Sequence, residues 1–422
     1  MSPKPFSRTL TACILCRSPE LDLAVPLEPM PIATPTFKLP PELRGRDDAI
    51  AAASLDLRLC RACGHLQTTD MVDPEFNYNN YVYKTASSLG LVEHFRGNAE
   101  QAMARYKPAQ GALVAEIGSN DGSLLRFFKD KGHRVLGIDP AQKIAEDATK
   151  NGIETWARFF DRGVAEEAAA KHGQASIILA NNVIANIDNV GTFTAGLDPL
   201  LAPDGVFIFE TQYGVDVVDR TLLDTVYNEH LSYFMVRPLA THFERLGYQV
   251  INVDRIPTKG GSIRVAVQRK GGKRPVAPEV GAIIADEERR GMFGLDYYKP
   301  FAKRVKDIGR ALNAIIDAEE KKGRFVAGYG VSVGTTTLLH QFGLTKRIRC
   351  LFDDNPERES HLRGPGYQIP VLPGTALAEQ NPGAVIVFAW RYIDPIASKQ
   401  QDWLAKGGRF ILPLPEVSER TR

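Results

Sequence analysis

The segment Val114–Ser123, VAEIGSNDGS, places the strongest constraint on the fold of this chain. An apolar run begins at Leu113, ends at two closely spaced glycines, and is followed by apolar residues at helical spacing: Leu124, Leu125, Phe127 and Phe128. This pattern predicts a strand, a tight glycine turn and a helix. The free backbone N–H groups at the start of such a helix face a bound ligand. We therefore expect a ligand site at Gly118 and Gly122, with an unliganded α/β turn as the alternative.

An acid at the end of the next apolar run indicates which ligand the turn binds. Asp139 lies 21 residues after Gly118, where the acid at the tip of the second strand usually takes the hydroxyls of a ribose. The turn is G-x-x-x-G rather than G-x-G-x-x-G, and it carries Glu116 and Asp121. Carboxylates repel a pyrophosphate but attract a cationic cofactor such as S-adenosylmethionine (SAM). The predicted cofactor-binding residues are Glu116, Gly118, Ser119, Asn120, Gly122, Asp139, Pro140, Asn181 and Asn182.

Four of the five cysteines form two Cys-x-x-Cys pairs: Cys13 with Cys16, and Cys60 with Cys63. Each pair places two thiolates on one turn, and two such turns supply the tetrahedral S₄ set that Zn²⁺ prefers. A disulfide is the poorer interpretation for a reducing compartment. Because the protein fills all four ligand positions, we expect a structural zinc rather than a catalytic one.

Length and composition limit the remaining possibilities. A chain of 422 residues is too long for one core. The formal charge of +2 and the lack of a basic stripe make nucleic acid an unexpected partner. The sequence shows neither an apolar stretch long enough to cross a membrane nor a signal-peptide pattern at its beginning, so a cytoplasmic location is expected. It leaves the oligomeric state open, a monomer included.

The middle of the chain alternates strands with helices, as in a doubly wound sheet. The predicted strands are 113–118, 134–139, 176–183, 205–211, 248–256 and 262–268, and the predicted helices are 123–131, 141–150, 161–171, 189–201 and 237–246. The last two strands are too close in sequence for a parallel crossover and should pair antiparallel. A parallel sheet that ends in one antiparallel hairpin resembles the sheet of SAM-dependent methyltransferases.

An insertion of about 25 residues separates strand 205–211 from helix 237–246, which is longer than the usual loop of about two to six residues. It contains Tyr227-Asn228-Glu229-His230 and should lie beyond the carboxyl ends of the strands, where such sheets bind ligands. His230, beside Tyr227 and Glu229, is a candidate base, although a lone histidine is more often structural. Tyr78, Tyr81 and Tyr83 precede the cofactor strand and indicate either a flap over the site or surface packing.

A third region follows a charged helical stretch near residues 299–322. The sequence RFVAGYGVSVGTTTLL repeats the strand–turn–helix form with glycines at 328, 330 and 334. Strands are expected in IRCLFDD, at 385–390 and at 409–414. This turn has three possible roles: binding NAD, holding the nucleoside diphosphate of a substrate, or serving as scaffold.

With these motifs in their order, the chain resembles the SAM-dependent deoxysugar C-methyltransferases, which act on nucleoside-diphosphate-linked 4-keto sugars. The resemblance covers nearly the whole chain and depends on the Cys-x-x-Cys pairs, EIGSNDGSLL, VYNEHLSYF, GGSIRV, GYG and PGYQIPV. It implies a zinc-binding domain (1–75), a central Rossmann-like class I methyltransferase domain (76–272) and a C-terminal Rossmann-like substrate-binding domain (273–422).

The resemblance also implies roles for individual residues. His230 would be the base for methylation at carbon 3, with Tyr227 and Glu229 beside it. An unperturbed histidine pKa of about 6.5 would let it accept a proton near neutral pH. The implied substrate-binding residues are Tyr81, Tyr83, Gly261, Ser262, Arg264 and Tyr329.

The chain departs from the family pattern at a few polar positions. Asn182 and Asn186 stand where histidines are expected, Lys259 stands where a histidine is usual, and Gly334-Thr335 replace a Lys-Gly pair. The sugar, its nucleotide and the methylated carbon therefore stay open. Three alternatives remain: an O- or N-methyltransferase on a related sugar nucleotide, a non-catalytic SAM- or nucleotide-binding module, and an NAD-dependent dehydrogenase.

Overall fold

The computed structural model of the chain describes residues 6–32, 52–78, 84–87, 90–356 and 360–421. Tyr81 and Tyr83, both predicted to bind substrate, lie outside these residues. Within the described ranges no helix combines the length and apolar content needed to cross a membrane.

The N-terminal part consists of short strands around the two cysteine turns. Its elements are β1 (Ser7–Thr9), β2 (Leu21–Val25), β3 (Met30–Pro31), β4 (Ala52–Ala53), β5 (Leu57–Cys60), β6 (Leu66–Thr68), β7 (Asp70–Val72) and α1 (Pro74–Tyr78). The β5 and β6 strands pair antiparallel on either side of the Cys60–Cys63 turn, and β2 pairs with β5. Tight turns close both cysteine pairs, with Arg17 N–H donating to Cys13 O at 3.0 Å and Gly64 N–H to Cys60 O at 2.8 Å.

The middle of the chain is a twisted α/β sheet covered by helices. Its elements are α2 (Leu91–Tyr106), β8 (Leu113–Ile117), α3 (Ser123–Asp130), β9 (Arg134–Ile138), α4 (Gln142–Lys150), β10 (Thr155–Trp156), α5 (Arg162–His172), β11 (Ala175–Asn181), α6 (Val190–Leu200), β12 (Leu201–Gln212), α7 (Gly214–Asp219), β13 (Ser232–Tyr233), α8 (Val236–Arg245), β14 (Tyr248–Ile256) and β15 (Ser262–Arg269). The strand order is β10-β9-β8-β11-β12-β15-β14. The strands β8 to β12 of this sheet run parallel, whereas β14 and β15 form the expected antiparallel hairpin.

The sheet is buried as its sequence predicts. Every residue of β8 is buried, including Glu116, because helices cover both faces of a parallel sheet. The short edge strand β10 was not predicted, since two residues carry no periodic signal.

The insertion between β12 and α8 is ordered and largely buried rather than an irregular loop. It begins with α7 and ends with β13, which pairs antiparallel with β6 of the N-terminal part. Thr68 N–H donates to Leu231 O at 2.9 Å, and Leu231 N–H donates to Ala185 O at 2.7 Å. The Asn228 side chain donates to Pro31 O at 2.8 Å. The insertion is therefore fixed from two sides, and we call residues 213–235 the catalytic loop from here on, after the base predicted at His230.

The C-terminal part is a second α/β unit. Its elements are α9 (Pro278–Arg289), α10 (Lys299–Glu320), β16 (Val326–Tyr329), α11 (Val333–Gln341), β17 (Leu351–Asp353), β18 (His361–Gly364), β19 (Tyr367–Pro373), α12 (Leu377–Gln380), β20 (Ala384–Val387), α13 (Ile393–Lys399), α14 (Gln401–Ala405), β21 (Phe410–Leu412) and β22 (Ser418–Arg420). The strand order β18-β19-β17-β16-β20-β21-β22 places the strand–turn–helix unit at its centre. The β18–β19 hairpin carries the PGYQIPV motif.

The C-terminal unit packs on the catalytic loop. Thr337 Oγ1 donates to Val226 O at 2.8 Å. A Cβ at Gly334 would lie 2.5 Å from Asp224 O, so glycine is required where α11 meets the loop. The mixed α/β architecture with three parts agrees with the predicted fold class, while the domain boundaries at 75/76 and 272/273 stay predictions.

Candidate active site

The predicted cofactor turn has the backbone geometry that its glycines allow. Gly118 and Gly122 have φ values of +69° and +74°, in the left-handed region where a side chain is strained. Gly118 N–H donates to Ile138 O at 2.7 Å, which joins the ends of β8 and β9. A Cβ at Gly118 would lie 2.3 Å from Val183 Cγ2. The turn therefore needs glycine both for its conformation and for space.

Asp139 ties the turn to the start of α4. One carboxylate oxygen accepts the Asn120 N–H at 2.8 Å, and the other accepts the Ala141 N–H at 2.9 Å. Burial raises the pKa of Asp139, although these two hydrogen bonds oppose the shift. Asp139 is thus placed at the end of the second strand as expected, next to Pro140.

Buried polar atoms beside this turn fit a cationic, hydroxyl-bearing cofactor. Within the described part of the chain, Glu116 Oε2, Ser119 Oγ and Asn181 Nδ2 are buried and have no hydrogen-bond partner. Burial, together with the nearby Asp121 and Asp139, raises the pKa of Glu116 well above its usual value. Unpaired buried polar groups are costly, and the ammonium and hydroxyl groups of SAM would satisfy them.

The segment that follows the tyrosine stretch lies over the cofactor turn. Thr85 N–H donates to Asn120 Oδ1 and Ala86 N–H to Asp121 Oδ2, both at 2.9 Å. The side chain of Asn120, predicted to bind the cofactor, therefore holds this segment in place. This position agrees with a flap that crosses the cofactor turn, although the flap tyrosines Tyr81 and Tyr83 lie outside the described residues.

Asn181 and Asn182 end β11 beside the same turn. Asn181 Oδ1 accepts a hydrogen bond from Asn98 of α2 at 3.3 Å. Asn182 has a left-handed φ of +57°, and its N–H donates to Glu210 O at 2.7 Å. The sequence did not indicate Asn98, because α2 precedes β8 and shares no motif with it.

Tyr227 and His230 form a hydrogen-bonded pair in the catalytic loop. His230 Nδ1 lies 2.8 Å from Thr225 O, and since a carbonyl only accepts, Nδ1 carries the proton of the ring. Nε2 then accepts the Tyr227 O–H at 2.9 Å. The ring centroids are 4.0 Å apart, and Gln212 Nε2 lies 3.2 Å from Nδ1. Gln212 closes β12 and had no sequence signal.

Burial keeps this pair neutral. Burial and, to a smaller extent, the positive charge of Lys259 together lower the pKa of His230 to about 3. Burial also raises the pKa of Tyr227 well above its usual value, with the charge of Glu229 adding to the effect. The pKa of about 6.5 expected for an exposed His230 is therefore wrong for the folded protein, because the ring is only 3% exposed.

Tyr78 connects the cofactor turn with the catalytic loop. Its hydroxyl accepts a hydrogen bond from Asn186 Nδ2 at 2.8 Å. Burial raises the pKa of Tyr78 above its usual range, and the charges of both Glu229 and Asp139 add to this effect. The charges of Asp139 at the cofactor turn and Glu229 in the catalytic loop thus both act on the Tyr78 phenol. Asn186, one of the departures from the family pattern, positions that phenol.

A buried cluster around Glu210 lies at the end of β12. Glu210 accepts hydrogen bonds from His94 at 2.8 Å, Thr258 at 2.9 Å and Arg264 at 3.1 Å. Burial would raise the pKa of Glu210, but His94 and Arg264 lower it overall, so the carboxylate is ionised. Arg264, predicted to bind substrate, also donates to Gln101 at 2.9 Å. No sequence motif indicated His94 or Glu210.

The other predicted substrate residues lie at two places. Ser262 pairs with Gln212 at the start of β15, and its Oγ donates to Thr258 O at 3.0 Å. A Cβ at Gly261 would lie 2.4 Å from Asp216 Cβ, so this backbone packs closely on the catalytic loop. Tyr329 is buried at the end of β16 and donates to Asp354 at 2.5 Å.

The four cysteines of the two pairs converge. Their sulfur atoms all lie within 4.8 Å of one another. Cys13 Sγ is 3.6 Å from Cys63 Sγ, and Cys16 Sγ is 3.5 Å from Cys60 Sγ. A Zn–S distance of about 2.3 Å in a tetrahedron requires sulfurs roughly 3.8 Å apart, so the set fits zinc.

In the C-terminal glycine turn, backbone N–H groups already donate to acceptors of the protein itself. Gly330 N–H donates to Phe352 O and Val331 N–H to Asp353, both at 2.7 Å. Ser332 and Thr335 cap the start of α11 reciprocally. The same kinds of bond hold the predicted cofactor turn, where Gly118 N–H donates to Ile138 O and Asp139 accepts a backbone N–H, so the three roles considered for the C-terminal turn stay open.

Comparisons with known proteins agree with this architecture. A family model described as a methyltransferase domain matches residues 92–253, and one described as a C-methyltransferase C-terminal domain matches residues 257–415. The C-methyltransferase NovU of Streptomyces niveus is 32% identical over 363 residues, which cover 86% of each sequence. A ubiquinone biosynthesis O-methyltransferase of Azorhizobium caulinodans is 28% identical over 122 residues, 29% of this chain and 47% of that protein. Magnesium protoporphyrin IX methyltransferase of Synechocystis PCC 6803 with bound S-adenosylhomocysteine has a TM-score of 0.33 and 16% identity, covering 43% of this chain and 84% of that chain.

The sheet order, the acidic glycine turn and the matching methyltransferase domain define a SAM-dependent methyltransferase. More specifically, the chain belongs to the C-methyltransferase family that includes NovU, because the identity of 32% extends over 86% of both chains. The predicted family and the predicted class of enzyme are therefore confirmed. The roles of individual site residues stay predictions.

Proposed function

We propose that the enzyme methylates a carbon next to the ketone of a nucleoside-diphosphate-linked 4-keto deoxysugar. The neutral pair of the buried His230 and the partly buried Tyr227, at the carboxyl end of the sheet, is the observation that carries this proposal. A carbon accepts a methyl cation equivalent only as a carbanion, and an adjacent ketone makes that carbanion an enolate. The resemblance to the deoxysugar C-methyltransferases supports the sugar nucleotide as the bearer of the ketone.

The proton leaves the substrate through the pair. Because Nε2 of His230 already accepts the Tyr227 O–H, the phenolic oxygen would be the atom of the pair that receives the substrate proton. As the substrate C–H bond breaks, its proton passes to the Tyr227 oxygen, the Tyr227 proton passes to Nε2, and the bonding electrons enter the enolate. The Nδ1–H bond to Thr225 O holds the tautomer that leaves Nε2 free to accept.

The residues of the acidic turn would bind SAM. Asp139 would take the ribose hydroxyls, and Glu116 with Asn181 would face the polar end of the cofactor, beside Gly118, Ser119, Asn120, Gly122, Pro140 and Asn182. SAM, when bound, supplies an electrophilic methyl group. Holding a carbon nucleophile in line with such a group can remove about 7–11 kcal/mol of the barrier.

The other predicted residues complete the site. Glu229, whose charge affects both Tyr227 and Tyr78, would stabilise the imidazolium that forms on His230. Tyr81, Tyr83, Gly261, Ser262, Arg264 and Tyr329 would hold the sugar nucleotide. Cys13, Cys16, Cys60 and Cys63 would bind one structural Zn²⁺, and four thiols poised for a metal rather than for disulfides favour a cytoplasmic enzyme.

The proposal is tested by the position of the new methyl group. The protein is incubated with SAM and a panel of 4-keto sugar nucleotides that vary in base and deoxygenation, and the products are examined by NMR. A methyl group on the carbon next to C4, carbon 3 by the resemblance, is expected. A methyl on oxygen or nitrogen would instead support the O- or N-methyltransferase alternative, and no methylated product from any member would contradict the proposal.

A further inference from the structure

A short turn between β14 and β15 reaches the catalytic loop from the sheet side. Lys259 sits at its centre with φ +53° and ψ +22°, a left-handed conformation that costs a residue with a side chain roughly 1–2 kcal/mol. Thr258 anchors the turn to Glu210 at 2.9 Å, and Arg220 donates to Gly260 O at 2.8 Å. Backbone strain of this kind concentrates at functional sites.

The turn has no room to shift. A Cβ at Gly260 would lie 2.8 Å from Leu222 of the catalytic loop and 3.0 Å from Arg391 of the C-terminal unit. Two residues after Gly260, Ser262 pairs in register with Gln212, whose amide contacts the His230 ring. Lys259 is therefore held at the same end of the sheet as the Tyr227–His230 pair.

The charge of Lys259 faces that pair. It lowers the pKa of His230, second to burial, and Lys259 in turn is influenced by Glu210 and Glu229. Glu210 is already bonded to His94, Thr258 and Arg264, as described above. Lys259 thus lies within electrostatic reach of His230, Glu210 and Glu229 while keeping exposed surface.

Lys259 differs from the cations around it because the described residues include no partner for it. Arg255 pairs with Asp216, Arg391 with Asp224, and Arg264 with Glu210. Among the residues that the structure describes, none forms a hydrogen bond or ion pair with the Lys259 ammonium. The residue retains exposed surface, so the ammonium is accessible to an incoming molecule.

We infer that the Lys259 ammonium contacts the ketone oxygen of the substrate and stabilises the negative charge that this oxygen gains in the enolate. The inference deepens the proposed function and rests on it. Deprotonation by a neutral pair separates charge, leaving a cation on His230 and an anion on the substrate oxygen. A cation placed beforehand at that oxygen lowers the barrier without reorganisation.

A contact with the substrate diphosphate is the other use for such a cation. Diphosphates are usually bound by several donors, often bidentate arginines. The arginines nearest this turn already bond to Asp216 and Asp224, which leaves a single point charge beside the base. One ammonium suits one developing oxyanion better than a multiply charged diphosphate.

The pKa of Lys259 gives the inference a signature in pH. Burial, assisted by Arg391 and opposed by Glu210 and Glu229, lowers the pKa of Lys259 to about 8. The charged groups that act on the ammonium are thus Glu210 on β12, Glu229 on the catalytic loop and Arg391 of the C-terminal unit, and the neutral His230 is the titratable ring whose pKa Lys259 lowers. Because only the protonated amine stabilises an oxyanion, kcat should fall as pH rises through about 8.

The test compares Lys259→Met and Lys259→Arg with the wild type and with Lys270→Met, which removes a surface ion pair with Glu244 just beyond the far end of β15. The substrate is the 4-keto sugar nucleotide that the wild type methylates best. Lys259→Met should lower kcat by about 10²–10³-fold, the usual effect of removing one oxyanion donor. It should also slow exchange of the substrate C–H in heavy water with S-adenosylhomocysteine bound. Lys259→Arg should retain activity and lose the decline near pH 8, and Lys270→Met should match the wild type.

Affinity for the nucleoside diphosphate without sugar, measured by calorimetry, separates the two uses of the cation. Unchanged affinity in Lys259→Met with lost exchange supports the enolate contact. Weakened affinity with unchanged exchange would overturn it, as would wild-type kcat in Lys259→Met, or a decline near pH 8 that persists in Lys259→Arg. If Lys259→Met fails to fold, the pH profile of Lys259→Arg decides. No turnover of any sugar by the wild type would overturn the proposed function together with this inference, whereas an active wild type with an equally active Lys259→Met would overturn this inference alone.

Discussion

The Tyr227 hydroxyl either relays the substrate proton or only orients His230, and removing one oxygen atom separates these roles. Tyr227→Phe keeps the ring against the imidazole but leaves Nε2 without its donor. A relay predicts loss of C–H exchange and methyl transfer by about 10²–10⁴-fold, similar to the loss in His230→Asn. Both are measured with a 4-keto substrate in heavy water.

A matched change lies six residues further along the same loop. Tyr233→Phe removes a buried hydroxyl that has no partner among the described residues, and it should leave the rate near that of the wild type. Nearly full activity in Tyr227→Phe would mean that Nε2 takes the proton directly. Nearly full activity in His230→Asn would remove the pair from the mechanism altogether.

Burial of His230 should also make stability depend on pH. The unfolded chain binds a proton at this ring below pH 6.5, whereas the folded chain does so only below about 3. The stabilisation is therefore complete above pH 6.5 and is lost as pH falls toward about 3. Between pH 7 and pH 5 the loss from this one group is about 2 kcal/mol.

His230→Asn removes that contribution and serves as its own comparison. Thermal unfolding of both proteins at pH 7 and pH 5 should show a smaller decrease in Tm for the variant. Other buried histidines, such as His65, contribute equally to both proteins and cancel. The same decrease in both proteins would show that His230 is protonated in the folded state at pH 5.

Asp139 should control SAM affinity through both its charge and its two backbone hydrogen bonds. We expect Asp139→Ala to weaken binding by about 1.5–3 kcal/mol or more, the usual cost of losing a hydrogen bond to a charged group. Calorimetry with SAM measures this effect, and Asp130→Ala on the exposed side of α3 is the control. Unchanged SAM affinity in a folded Asp139→Ala protein would place the cofactor elsewhere.

Periodic elements could be predicted from the sequence, whereas contacts between distant segments could not. The run Leu113–Ile117, the glycine turn and α3 carry their own pattern, so the cofactor site follows from local sequence. The β13 strand has only two residues and gains its hydrogen bonds from β6, more than 160 residues earlier. The periodic pattern of neither segment predicts this pairing. His94 of α2 and Glu210 of β12 are likewise brought together by the fold, and no sequence motif predicts their contact.

The cysteine cluster supports the catalytic loop through this pairing. The β6 strand begins three residues after Cys63, and β13 begins two residues after His230. We therefore expect the Cys60→Ser/Cys63→Ser protein to lose its zinc and most of its methyl transfer while retaining SAM affinity. Metal analysis, kinetics and calorimetry measure the three quantities.

Cys350→Ser provides the control, since this buried thiol lies in the C-terminal unit away from the cluster. Its zinc content and rate should equal those of the wild type. Metal that persists in the double variant would contradict the ligand assignment. Loss of zinc with full activity would leave the assignment intact and remove the link between the cluster and the loop.

In the whole molecule, the catalytic loop is the segment on which all three parts meet. The N-terminal part pairs with it through β6, the central sheet contacts it through Gln212, and α11 of the C-terminal unit packs against Asp224 and Val226. We therefore expect the C-terminal unit to affect chemistry by fixing the loop, in addition to any contact with the proposed sugar nucleotide. Its glycine turn alone could not reveal this role, because the contacting residues are 111 positions apart in sequence.

Asp224 carries the connection between the loop and the C-terminal unit. Arg391 binds both of its carboxylate oxygens, and Trp390 Nε1 donates to it at 3.2 Å. We expect Asp224→Asn and Arg391→Gln each to lower kcat while leaving SAM affinity unchanged, because the pair orients the loop and does not touch the cofactor turn.

The double variant should lose no more than the worse single variant, since the effects of residues that act through one contact are not additive. Arg347→Gln, which breaks a surface ion pair with Asp317 far from the loop, should behave like the wild type. Losses in kcat that add in the double variant, or a decrease in SAM affinity, would show that Asp224 and Arg391 act separately and not as the joint between these parts.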